Sequence, residues 1–140
     1  MVIFAFQYAR VSIIREVLSG RDYHSKVART FWEEALITRV GVRMGIVVLE
    51  GYIFFASAGQ TLKTFKDIKE TSDARSKCEQ LRYIIFDFEH VNNVDFSGVR
   101  TFFDLKRVLK AEKLCVVFTG LSQKIRDKFV AEGVMESEDA

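Results

Sequence analysis

The sequence predicts a single α/β domain, and two observations carry that prediction. From residue 42 onward, apolar runs of strand length alternate with segments of helical periodicity. The segments 81–88 and 113–119 also have continuous apolar centres, which are typical of strands covered on both faces. A helix between two such strands returns the chain to the same end of the sheet, so the alternation favours parallel pairing.

The N-terminal part of the chain has a weaker pattern. Residues 2–18 mix apolar and polar side chains in a way that predicts a helix ended by Ser19 and Gly20. Residues 31–40 predict a second, short helix with Gly41 as its C-terminal cap. The predicted organisation is a linker or helical segment over 1–41, the α/β domain over 42–134 and an acidic tail over 135–140.

Two interpretations of the opening residues remain open. Residues 1–10 resemble the final turns of a membrane helix, with Arg10 and Arg15 at the cytosolic edge, but they also suit an amphipathic helix packed on the domain or on a partner. A membrane span needs about 20 mostly apolar residues. The longest apolar runs, 1–6 and 46–49, are much shorter, so no span is expected within this sequence.

The central elements follow from periodicity. Residues 42–55 form two β-rich runs divided by Glu50 and Gly51, which predicts either a hairpin or a kinked strand. Leu62, Phe65 and Ile68 recur among lysines and predict an amphipathic helix over 56–70, with the lysines on a solvated face rather than on lipid. A loop is expected over 71–80.

The second half continues the alternation. A buried strand over 81–88 is followed by a loop over 89–93 and, after Gly98, by a helix whose apolar stripe is interrupted by Lys106, which should extend its charge outward. The next strand, 113–119, should bury Cys115. The last predicted helix is capped by Ser122 and ends before Gly133.

Composition and motifs exclude several classes of function. Twenty-one basic and 19 acidic residues are scattered together with a net charge of +2, which gives no field to attract nucleic acid. The two cysteines lie far apart and have no ligand partners, so neither a disulfide nor a metal site is expected. No glycine-rich phosphate loop occurs, and neither His24 nor His90 has a triad partner, so we expect no catalysis and no cofactor. A phospho-accepting receiver domain is disfavoured as well, because the acidic pair that should accompany Asp87 is missing.

The segment Tyr83–Gly98, YIIFDFEHVNNVDFSG, followed by an amphipathic helix, resembles the central signature of STAS domains. In that family a core strand leads to an Asp-x-Ser-Gly element, and the serine stands at the start of the next helix. The resemblance implies a STAS-type (SpoIIAA-like) mixed sheet of four to five strands, with helices packed mainly on one face and an N-terminal linker helix. It covers nearly the whole chain.

The same resemblance implies a set of site residues. Ser97 matches the serine that is phosphorylated in some family members, and a helix N-terminus would stabilise a phosphate there. The alternative is a purely structural role, in which Asp95 and Ser97 only cap the helix. Gly98 would leave room for a partner's backbone. The remaining predicted residues are Asn93 and Phe96 around the helix start, and Asp87, Thr119 and Gly120 as contacts for a partner or a nucleotide.

Two branches of the family are open. The aromatic-rich run 46–55 and the lead segment 8–20 resemble SulP-like anion transporters, which implies a regulatory domain at the cytoplasmic face of a membrane whose partner is the parent transmembrane domain or another regulatory protein. The alternative is a free-standing anti-sigma factor antagonist that a serine kinase switches at Ser97. A homodimer is expected from the transporter branch.

Overall fold

The computed structural model describes residues 13–23, 28–74, 76 and 79–136. Within them the chain forms four strands and four helices. In chain order these are β1 (Ile14–Ser19), α1 (Phe31–Gly41), β2 (Met44–Ile53), α2 (Phe55–Asp73), β3 (Tyr83–Val94), α3 (Phe96–Ala111), β4 (Cys115–Thr119) and α4 (Gln123–Ala131). None of the described helices is both long enough and apolar enough to cross a bilayer.

The four strands form one mixed sheet in the order β1-β2-β3-β4. Strands β2, β3 and β4 are parallel, as the alternation of elements predicts, and β1 pairs antiparallel with β2. Helices α2, α3 and α4 supply Phe65, Phe102 and Phe129 to the same core that β2 and β3 line. The predicted fold class is therefore confirmed, with a four-stranded sheet and helices on one face.

Five phenylalanines form the centre of this core, where they come from two strands and two helices. The Phe88 and Phe102 ring centroids are 5.2 Å apart, and those of Phe88 and Phe129 are 5.4 Å apart in an edge-to-face arrangement. Such ring geometry favours aromatic pairs beyond the area they bury. The cluster consists of Phe86, Phe88, Phe102, Phe118 and Phe129.

The N-terminal helix prediction is wrong where the structure can test it. Residues 14–19 form β1 rather than the end of a helix over 2–18, and residues 2–12 lie outside the described residues. The mixed pattern of this segment fits an edge strand, because Val17 pairs with Val47 while Glu16 and Arg15 stay exposed. Pairing with a neighbouring strand outweighs local helix propensity here.

Within residues 42–55, Met44–Ile53 form a single kinked strand, which is one of the two predicted alternatives. The β2–β3 register shifts between Val48 and Glu50 and again between Gly51 and Tyr52. Gly51 has a φ of 79°, a left-handed conformation that glycine adopts without strain. The loop predicted over 89–93 is wrong, because β3 continues through these polar residues alongside the second half of β2.

Helix α1 ends one residue later than predicted. Gly41 is its last residue and is buried, whereas Val42 occupies the C-cap position. A Cβ on Gly41 would lie 2.6 Å from the carbonyl carbon and oxygen of Gly20, so glycine is required by close packing rather than by cap geometry. The start of α1 is fixed by a capping box between Thr30 and Glu33.

Hydrogen bonds from Thr30, first from its backbone and then from its hydroxyl, lower the pKa of Glu33. The capping box therefore stabilises α1 at pH values above the ordinary pKa of a glutamate carboxyl group. This contribution is lost as the pH falls through the lowered pKa of Glu33. The rest of α1 packs on little else. Phe31 and Trp32 are 78% and 80% exposed, and Leu36 is exposed as well.

Strand β4 is less buried than predicted, because it lies at the edge of the sheet. Cys115 is exposed rather than buried, since its side chain points away from the helical layer. Lys106 on α3 does not extend freely into solvent, because its Nζ donates a 2.6 Å hydrogen bond to the Val134 carbonyl. This bond anchors the chain just beyond α4, which ends two residues before Gly133 as predicted.

Candidate functional site

The candidate site lies where β3 ends and α3 begins, at the carboxyl end of the parallel strands. Asp95 is the N-cap of α3, and its Oδ1 accepts a 2.6 Å hydrogen bond from the Gly98 amide. The Asp95 amide in turn donates to the Ile53 carbonyl at the end of β2. One residue thus ties the start of the helix to two neighbouring strands, and the capping role considered for Asp95 is what the geometry shows.

Ser97 lies in the first turn of α3 and is exposed. Its carbonyl accepts from the Thr101 hydroxyl at 3.0 Å. The free amides of a helix N-terminus carry partial positive charge, so an anionic group on Ser97 would be stabilised in part by the helix. Asp95 limits this effect, because its carboxylate already occupies the Gly98 amide.

Gly98 does not leave space for a partner. It is buried, and a Cβ there would lie 2.8 Å from Cγ1 of Val94 and 3.0 Å from the Ile53 carbonyl oxygen. The expectation that a partner's backbone approaches Gly98 is therefore wrong. The glycine instead lets α3 pack closely against the ends of β2 and β3.

Sequence reasoning missed Lys128, a residue of α4 that reaches the same site. Its Nζ donates to the Val94 carbonyl at 2.6 Å and to the Asn93 Oδ1 at 2.9 Å. These bonds place a positive charge at the end of β3, next to the N-cap of α3. No local pattern could have indicated this, because the partners lie 34 and 35 residues away in sequence.

Aromatic side chains flank the helix start. Phe96 is 66% exposed, and Tyr52, the register partner of Asn93, is 43% exposed. The Tyr52 ring centroid lies 6.2 Å from that of Phe54. We call Tyr52, Asn93, Phe96, Ser97 and Lys128 the Ser97 face. Exposed aromatic residues are enriched at protein-binding surfaces.

Strand β1 begins at the same end of the sheet. The Ile13 carbonyl accepts from the Glu50 amide at 2.8 Å, and the Ile13 amide donates to Gln60 Oε1 near the start of α2. Glu50 lies three residues before Ile53, a strand length of roughly 10 Å. The chain that precedes β1 therefore joins the sheet close to the Ser97 face.

The other predicted site residues form a separate group. Asp87 lies within β3 rather than at its end, and it pairs in register with Thr119. Asp87 Oδ1 accepts from the Glu89 amide at 3.0 Å, and a Cβ on Gly120 would lie 2.6 Å from the same oxygen. Seven residues of strand separate Asp87 from Val94, roughly 20 Å. The structure therefore joins Asp87, Thr119 and Gly120 to one another but not to Ser97.

Among the described residues, no three His, Cys, Asp or Glu side chains are grouped closely enough to hold a metal ion. The Lys128 side chain bonds to Val94 and Asn93. In the described part of the chain no hydrogen bond joins it to the Ser97 side chain. The arrangement offers a polar and aromatic surface with two exposed residues that carry a hydroxyl group, Ser97 and Tyr52.

Comparison with known proteins agrees with this fold. The STAS domain family model matches residues 35–138, whereas no curated protein sequence matches the chain. The chain is similar to part of SLC26A9, with 13% identity, a TM-score of 0.53, and coverage of 70% of this chain and 17% of that one.

Two shorter structures are also similar. The anti-sigma factor antagonist SpoIIAA in its unphosphorylated form has 20% identity, a TM-score of 0.49, and coverage of 62% of this chain and 73% of that one. A sulfate transporter family protein from Wolinella succinogenes has 17% identity, a TM-score of 0.47, and coverage of 66% and 72%. The chain spans about a fifth of the length of another similar structure, Mglu, of which it covers 20%. Since the family model covers well over half of its residues, the chain belongs to the STAS domain family.

Proposed function

We propose that this STAS domain is a non-catalytic regulatory module at the cytosolic face of a SulP-like anion transporter, and that a partner protein acts on it through the Ser97 face. The observation that carries the proposal is the shared location of two features. The segment preceding β1 joins the sheet about three strand residues from the end of β2, and the N-cap of α3 bonds to that same end. A partner bound at Ser97 would therefore lie beside the segment that leads towards a membrane domain.

The chemistry of the Ser97 face supports binding rather than catalysis. Its exposed side chains are those of Tyr52, Phe96 and Ser97, whereas the ammonium group of Lys128 is partly buried and already bound to Val94 and Asn93. Aromatic residues of this kind supply much of the energy of protein interfaces. A phosphate on Ser97 would add charge beside these rings and would weaken an apolar contact with the partner.

The first test concerns the gene. We expect the coding region that continues upstream of residue 1 to encode about a dozen apolar segments of bilayer-spanning length. An upstream stop codon with no such segments, beside a gene for a serine kinase, would instead support the free-standing antagonist.

The second test measures transport by the complete protein in cells, with labelled sulfate as the probe. Ser97→Asp should lower the uptake rate by about fivefold or more, the low end of typical coupling between sites. Ser97→Ala should behave as the wild type in unstimulated cells. The matched control is Ser122→Asp, which adds the same charge at an exposed serine preceding α4. Equal uptake by Ser97→Asp and the wild type would contradict the proposal.

The second candidate function is a free-standing antagonist that is switched by phosphorylation. The exposure of Ser97 in the first turn of α3 favours it, because a kinase could reach the hydroxyl. Incubation with the serine kinase encoded beside the gene should then add one phosphate, and Ser97→Ala should abolish the addition while Ser122→Ala should not. Phosphorylation that persists in Ser97→Ala would remove this candidate.

A further inference from the structure

Strand β4 forms one edge of the sheet and carries no charged side chain. Its five residues are Cys115, Val116, Val117, Phe118 and Thr119, and it pairs with β3 alone among the described strands. Natural edge strands are usually protected by charges, proline or bulges. This strand has none of these, and Val117 is 39% exposed on the sheet face opposite the main helical layer.

The hydrogen-bonding groups of β4 divide between its two sides. The Cys115 amide donates to the Arg82 carbonyl at 2.9 Å, so this residue points its main-chain groups at β3. In a parallel ladder alternate residues bond to one neighbour. The amide and carbonyl of Val116 and Phe118 therefore point outward, and no other described element bonds to them.

We propose that β4 pairs antiparallel with β4 of a second copy of this chain and so extends the sheet across a twofold axis. With Val117 opposite Val117 of the second copy, Val116 faces Phe118 and Cys115 faces Thr119. This register aligns all five residues and satisfies the four outward-pointing groups of each strand. It also places Val117 against Val117 on one face of the sheet and Val116 against Phe118 on the other, and apolar cross-strand pairs of this kind stabilise a sheet.

The charged residues beyond the two ends of β4 favour antiparallel pairing of two copies. Lys113 and Arg82 are exposed at the amino end of β4, whereas Asp87 and Glu89 lie at its carboxyl end. In the antiparallel arrangement the basic end of one copy lies against the acidic end of the other. A parallel arrangement would place like charges together instead.

The predicted dimer is weak. Pairing of two five-residue strands buries less surface than the roughly 1,200 Å² that stable interfaces begin with. The association should therefore depend on concentration and, through the charged ends, on ionic strength.

The decisive experiment uses disulfide cross-linking of the 140-residue chain. Directly opposed residues that do not bond to each other have Cα atoms about 4.5 Å apart, within the range that a disulfide spans. Val117→Cys in a chain carrying Cys78→Ser and Cys115→Ser should therefore form a covalent dimer on mild oxidation. The matched control carries only Cys78→Ser. Its Cys115 is also exposed to solvent and lies on the same face, but the two copies of Cys115 are roughly 13 Å apart along the strands and should not cross-link.

Sedimentation equilibrium supplies an independent measurement that needs no cysteine. Val117→Lys places two ammonium groups opposite each other, so the dissociation constant should rise about tenfold. Val117→Thr, which keeps a β-branched side chain, should change it little. Lys113→Glu should also weaken the dimer, whereas Lys66→Glu on α2 makes the same charge change away from β4 and should not.

Circular dichroism verifies that each variant is folded before it is compared. A folded Val117→Cys chain that stays monomeric, or Cys115 that cross-links equally fast, would overturn the proposal. A wild-type chain that is monomeric at every concentration would overturn it too, and would leave the edge to a different protein.

Discussion

Asp95 acts as the N-cap of α3. Its carboxylate binds the Gly98 amide, and its amide binds Ile53, so its hydrogen bonds serve the junction of α3 with the sheet. Ser97, two residues later, is exposed, and the hydrogen bond that its backbone carbonyl accepts from the Thr101 hydroxyl does not involve its own hydroxyl. Within the Asp-x-Ser-Gly pattern the structural role thus falls to Asp95, and the signalling role is what we propose for Ser97.

Replacing Asp95 tests the capping role directly. Asp95→Ala should lower the free energy of unfolding by about 1 kcal/mol, because the Gly98 amide loses its acceptor. Asp95→Asn keeps an acceptor oxygen and should cost much less. Urea unfolding followed by circular dichroism measures both variants, and equal losses would show that the charge rather than the cap stabilises the helix.

Among the elements, the junction between β1 and α1 depends on two glycines in contact. The Gly20 amide bonds to the Met44 carbonyl at 2.9 Å, and a Cβ on Gly20 would lie 2.9 Å from the Gly41 carbonyl oxygen. The segment after β1 and the end of α1 therefore meet backbone to backbone. This contact lets β1 and β2 pair although a helix separates them in sequence.

Two glycine-to-alanine variants should have opposite effects. Gly41→Ala forces its Cβ within 2.6 Å of Gly20 and should destabilise the domain by about 1–3 kcal/mol. Gly59 is exposed in α2, and an added methyl group there would have no neighbour within 4 Å, so Gly59→Ala should stabilise the domain by about 0.5–1 kcal/mol. Thermal unfolding distinguishes them, and a stabilising Gly41→Ala would refute the close contact.

At the scale of the whole molecule, the aromatic cluster joins the sheet to its helices. Phe88 on β3 contacts aromatic rings from α3, β4 and α4, so its side chain packs these three elements against β3. It is fully buried. Stability should therefore depend far more on this cluster than on the exposed aromatic residues.

Phe88→Ala should lower the free energy of unfolding by about 3–5 kcal/mol, a large part of the 5–15 kcal/mol typical of a domain. The matched control is Phe96→Ala, which removes the same atoms from an exposed position and should change stability by less than about 0.5 kcal/mol. Chemical unfolding compares the two. Similar losses would mean that the Phe96 ring packs against the domain.

The sequence allowed prediction of every element whose pattern repeats locally, including α2, α3, α4 and the parallel strands. It failed where a distant partner decides the conformation. Residues 14–19 become a strand only because β2 lies beside them, and residues 89–93 extend β3 for the same reason. In the site, Ser97 and Asp95 could be placed at a helix start from their motif, whereas Lys128 could not, because its partners follow from tertiary packing.

The exposed position of Trp32 has a practical consequence for spectroscopy. It is the single tryptophan of the sequence and lies on α1, away from the aromatic cluster. In the folded domain its fluorescence should already resemble that of a solvated indole. Its emission should therefore change little when the hydrophobic core unfolds. The same property makes it a sensitive reporter of anything that settles on α1, since covering the ring would shift its emission to the blue and shield it from quenchers.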